Sequence, residues 1–190
     1  MPAAITLGVV ASILAGYGLV MLRRRARLRD LASELGGEYL DEGWTKPGGV
    51  TGPGFTIRVE IPRRTFRTNV EVPTQAPGPC VIDPGFFASP FDWSHMRVPA
   101  TISERAFVVH VSLPGYASPD DTQREAFARW LARGSAHRVH SDMLAAAGIT
   151  RLFVSPDAVT TSLTGIVANA ERLRRTVDVL SRVAGGGRGR

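Results

Sequence analysis

The sequence predicts an α+β domain carried on a single N-terminal membrane helix. Three observations lead there. Residues 3–22 form a run of twenty without a charge. Residues 55–72 alternate apolar and polar with the period of half-buried strands. Residues 165–184 carry an apolar stripe at helical spacing, enough to cover one face of a sheet. Strands that pair locally, with helices gathered late, argue for an antiparallel sheet with helices packed on one face.

The apolar run comes first. At about 1.5 Å per residue its helix is roughly 30 Å long, the thickness of a bilayer's hydrocarbon core. A cleaved signal peptide needs basic residues ahead of a shorter apolar core. Here only Met1-Pro2 precede the run, so a retained anchor at 1–22 is expected. Arg23, Arg24, Arg25, Arg27 and Arg29 follow at once. Lys and Arg stay on the cytoplasmic side, which predicts an N-terminus outside and a domain inside a bacterial inner membrane. The same five arginines are candidate contacts for anionic headgroups.

The span has a face. Ala4, Gly8, Ser12 and Gly16 recur every four residues, and residues four apart stack along one side of a helix. Small residues there let another helix backbone approach, the usual way helices associate in lipid. The general abundance of Gly and Ala in membrane helices accounts for the same residues without a ridge. No His, Asp, Glu, Lys or Arg lies within 3–22, so the span offers no obvious axial ligand or proton relay.

The helix is expected to continue past the lipid. Leu28, Leu31, Ala32 and Leu35 share one stripe, and Gly36-Gly37 is a fitting stop, giving an Arg-rich extension over 23–37. The folded domain then covers 38–184. Residues 38–53 read as loop, punctuated by Gly43, Pro47, Gly48-Gly49 and Gly52-Pro53. Phe55 to Ile61 and Phe66 to Val72 read as an antiparallel hairpin turned at 62–65.

Prolines at 73, 77, 79, 84, 90 and 99 make 73–105 the least regular part. Short extended pieces near Cys80–Asp83 and Met96–Val98 fit there. Phe86, Phe87, Phe91 and Trp93 crowd one loop-like segment, either as a plug for the core or as an exposed partner patch. Phe107 to Leu113 is a strongly apolar strand. Ser118-Pro119 opens a helix to about Arg133 that buries Phe127, Trp130 and Leu131. A short helix near 136–147 ends at Gly148. Ile149–Val154 and Val159–Leu163 form a second strand pair. The last helix spans 165–184, with Ile166, Ala170, Leu173, Val177 and Leu180 on its stripe. Residues 185–190 read as a flexible Gly/Arg tail.

Composition narrows function. The formal charge is +6, but seven of the 23 basic residues are arginines at 23–29 and 188–190. The remaining 16 face 17 acidic residues, so the domain is close to neutral and lacks the basic face of a nucleic-acid binder. The single cysteine, Cys80, precludes an internal disulfide or a cysteine-based metal cluster within the chain. Lys46 is the lone lysine, and abundant Arg, Ala and Gly suggest a GC-rich bacterial genome.

Motifs of chemistry are missing. There is no nucleophile elbow, no phosphate loop and no dinucleotide fingerprint. His137 and His140 stand three apart without a third metal ligand fixed by spacing. Asp92 and His95 can pair across a turn but lack a nucleophile. His110 sits on the less apolar side of its strand. Asp120-Asp121 fit the start of a helix. The expectation is therefore not an enzyme, with no cofactor and no metal. It is a non-catalytic accessory subunit of an inner-membrane complex, held by other transmembrane helices, in a hetero-complex rather than a homodimer, and by anionic headgroups. The alternatives are a membrane-tethered binding or regulatory module and a membrane-associated enzyme.

Overall fold

The computed structural model describes residues 2–41, 43, 48–60, 65–84, 107–110, 120–133, 139 and 141–185. Side chains are described from residue 15, except at 80–84, 107–110, 123, 124, 128, 131–133, 141 and 142. One helix, α1 (Pro2–Leu35), runs unbroken through the apolar segment and the arginines. It ends as the glycine pair predicts. Gly36 takes a left-handed φ of 66°. Gly36 N–H donates to the Ser33 carbonyl (3.2 Å) and Gly37 N–H to that of Ala32 (2.9 Å). Those two bonds are the Schellman pattern, which satisfies carbonyls that the helix end leaves without partners.

The chain then builds an eight-stranded sheet among the described residues. Its strands are β1 (Glu38–Leu40), β2 (Gly49–Gly52), β3 (Phe55–Glu60), β4 (Arg67–Pro73), β5 (Cys80–Pro84), β6 (Phe107–His110), β7 (Leu152–Val154) and β8 (Ala158–Thr164). They lie in the order β1-β2-β3-β4-β8-β7-β5-β6, and every pairing is antiparallel. The hairpin read from alternation is present, with Ile57 opposite Val70 and Val59 opposite Thr68.

The loop reading of 38–53 is corrected, because β1 and β2 lie within it. Glycine hides β2 from a pattern search yet is required there. A Cβ on Gly49 would sit 2.2 Å from the Ile57 carbonyl oxygen, so close strand approach selects glycine.

Three helices follow α1 in the chain: α2 (Asp121–Arg133), α3 (Ser141–Ala147) and α4 (Ala170–Ala184). The last helix begins five residues later than its apolar spacing suggests. Gly165 is left-handed (φ 82°), and Asn169 caps the helix by accepting from the Arg172 N–H at 2.9 Å. An Asx cap stops a helix from extending backward even where apolar spacing would allow it. The buried stripe of α4 consequently includes Thr176, Val179 and Val183 beside Leu173 and Leu180.

The helices gather on one face. Rows of residues cross the sheet there: Val50–Ile57–Val70–Thr161, Val59–Thr68–Leu163 and Val72–Val159–Val154, all buried. Leu28, Leu31 and Ala32 of α1, Phe127 and Trp130 of α2, Leu144 of α3 and the α4 stripe close the same core. Trp130 Nε1 donates to Thr74 Oγ1 (3.2 Å), and that hydroxyl donates to the Ala184 carbonyl (2.7 Å). The expected short piece at 96–98, the turn at 62–64, the helix start at 118–119 and the tail at 186–190 lie outside the described residues.

Candidate functional site

The feature that stands apart from the core is the middle of α1. Tyr17, Leu19, Val20 and Leu22 are 44–56 % exposed and account for four of the five large exposed hydrophobics among the described residues. Met21, within the same stretch, is buried, and farther on Leu28, Leu31 and Ala32 pack in the core of the domain. The helix therefore passes from a fully apolar surface to an amphipathic one within about two turns. Among the described residues no helix is long and apolar enough to cross a membrane. The side chains of residues 1–14 lie outside that description, and the described residues lend the expected transmembrane helix no support of their own.

The expected packing ridge is described only at its last member. Gly16 is exposed, and a Cβ there would meet nothing within 4 Å. The side chains of Ala4, Gly8 and Ser12 lie outside the described residues, as does the aromatic patch of Phe86, Phe87, Phe91 and Trp93. Asp92, His95, His137 and His140 lie outside them too. His110 falls at the last position of β6, opposite Val81.

The five arginines do not share one environment. Arg24 places its guanidinium 3.9 Å from the Phe66 ring centroid. Arg25 donates to the Gly43 carbonyl and stands 3.6 Å from the Asp41 carboxylate. Arg29 lies 5.2 Å over the Tyr39 ring. Each of these contacts reaches from α1 to the strand layer it covers. A guanidinium over an aromatic face is attracted by the ring quadrupole, by about 0.5–1 kcal/mol at exposed sites. Arg23 and Arg27 are exposed. Near the helix end, Arg174 of α4 donates to the Glu34 carbonyl, tying the two helices together.

The sheet face away from the helices is open and polar. Thr56, Glu71, Thr160 and Phe153 form one row across it, Arg58, Asn69 and Ser162 a second, and Glu60, Arg67 and Thr164 a third. A shallow concavity of about 250 Å³ lies over the first two rows and reaches Glu60 of the third. Phe153, 42 % exposed, is its one aromatic wall. Hydroxyls, an amide and a mixed set of charges suit it to hydrogen bonding rather than to nucleophilic chemistry. Sequence reasoning did not single out this face. Its alternation was legible, but which strands become neighbours was not. Among the described residues no group of three or more His, Cys, Asp or Glu is placed to hold a metal ion.

Comparison with known protein families, with curated proteins and with solved structures returned no match.

Proposed function

We propose that the chain is a non-catalytic accessory subunit of a larger bacterial inner-membrane assembly, for example an energy-converting one. The observation that carries this reading is the exposed apolar turn at Tyr17, Leu19, Val20 and Leu22, on a helix whose next turns are locked into the domain. Apolar surface of that extent on one helix needs lipid or another helix to cover it. The uncharged residues 3–22 extend it to the length of a bilayer core. The arginines that follow support a cytoplasmic side for the domain. Small residues at Ala4, Gly8, Ser12 and Gly16 give a partner helix a surface for close approach.

The proposal is tested by extracting membranes with a mild detergent and sizing the native particle. Elution within a larger particle containing other subunits is expected. A free monomer without partners overturns the subunit reading. Replacing Gly8 and Gly16 with Leu should release the chain from that particle, and unchanged association removes the ridge from the argument. Protease added to sealed inside-out vesicles should digest the domain, whereas protection overturns the orientation.

The open sheet face favours a second reading, a tethered module that binds a transient partner. In that case the monomer elutes alone, and substitutions at Arg58 and Phe153 abolish capture of the partner.

A further inference from the structure

The arginines that follow the apolar run divide into two sets. We propose that Arg23 and Arg27 form the contact with anionic phospholipid, while Arg24, Arg25 and Arg29 clamp the domain to α1. The inference rests on reading α1 as a membrane span.

Arg23 and Arg27 are one turn apart and share a side of the helix. Leu19 precedes Arg23 on that same stripe and is half exposed. Leu28, Leu31 and Ala32, which pack in the core of the domain, are buried. Along the outward side the helix thus changes from apolar to cationic at one level. A bilayer's headgroup layer is about 5–7 Å thick on each side. Measured from Leu22 along the axis, Arg23 lies about 1.5 Å and Arg27 about 7.5 Å into or across that layer. Both side chains are long enough to bring their guanidinium groups to phosphate level. Bidentate hydrogen bonding of a guanidinium to phosphate is strong and directional.

The other three arginines are engaged elsewhere. Arg25 has a side chain only 13 % exposed, with Asp41 and the Gly43 carbonyl as partners. The Arg24 guanidinium stacks on the Phe66 ring at 3.9 Å. Arg29 lies about 10.5 Å past Leu22, beyond the headgroups, and its guanidinium stands over Tyr39. Asp30 follows Arg27 by three residues and is exposed, about 4.5 Å farther from the bilayer, where it bounds the cationic patch.

The test uses the full chain in nanodiscs of phosphatidylcholine with a minor fraction of phosphatidylglycerol. After a delipidating wash, the phosphatidylglycerol retained per protein is measured by mass analysis. The wild type should be enriched in it. Arg23→Gln and Arg27→Gln should each lower the enrichment about five-fold without changing the melting temperature. The triple variant Arg24→Gln/Arg25→Gln/Arg29→Gln should keep the enrichment and melt lower. Wild-type retention by the Arg23→Gln/Arg27→Gln pair overturns the proposal, as does loss of enrichment in the triple variant alone. Displacement of phosphatidylglycerol by millimolar inorganic phosphate would mean a phosphate site rather than a lipid contact, and overturns it too. Release of the full chain from membranes by alkaline carbonate instead overturns the span reading itself, and this proposal with it.

Discussion

Thr68 shows how single residues hold the covered face. It is fully buried in β4, yet its hydroxyl has both partners it needs. Oγ1 donates to the Gly165 carbonyl at 2.8 Å and accepts from the Val167 N–H at 3.0 Å. These bonds fix the turn between β8 and α4. Thr68→Val keeps the shape but leaves a buried carbonyl and a buried N–H without partners. The expected loss is about 2–4 kcal/mol, read as a lowered denaturation midpoint, whereas Ser162→Ala on the open face should stay within about 0.5 kcal/mol. Gly49→Ala should be comparably severe, because its Cβ would meet the Ile57 carbonyl oxygen at 2.2 Å. The apolar partners of Thr68 were legible from alternation. Its role in the turn was not, since the turn lies 97 residues away in sequence.

At the scale of elements, α1 has an exposed apolar turn at residues 17–22 and a later stretch packed in the core. Its last turns supply Leu28, Leu31 and Ala32 to the core, so the helix is a structural member of the domain. Leu31→Ala removes a buried side chain and should cost about 2–5 kcal/mol, detected by thermal unfolding. The stripe and the Gly36 stop were both readable, because each is a local signal of spacing or backbone freedom. The start of α4 was not read correctly. Apolar spacing from Ile166 onward fits a helix, but Asn169 and Gly165 decide the boundary through a cap and a left-handed φ. Asn169→Ala should therefore destabilise by about 1 kcal/mol, measured by denaturation. β1 and β2 escaped notice for another reason: they are three and four residues long, and glycine replaces side-chain pattern at Gly49 and Gly52.

For the molecule as a whole, the consequence is rigidity between the exposed apolar turn of α1 and the domain. α1 has no break between Leu22 and Leu35, and Arg24, Arg25 and Arg29 reach from it to the strand layer. Spin labels at Val20 and Ser162, in a Cys80→Ser background, should give a narrow distance distribution. A broad one would mean that the domain swings on its helix. Whatever covers the exposed apolar turn of α1 then also fixes the direction in which the open sheet face points. The sequence alone determined the uncharged segment, the arginine cluster after it, the central hairpin and the α+β class, because these are local or periodic properties of the chain. Only the tertiary structure decided which strands are neighbours, which sheet face stays open, and which arginines contact the domain. Those depend on pairings between residues far apart in sequence, and no local period encodes them.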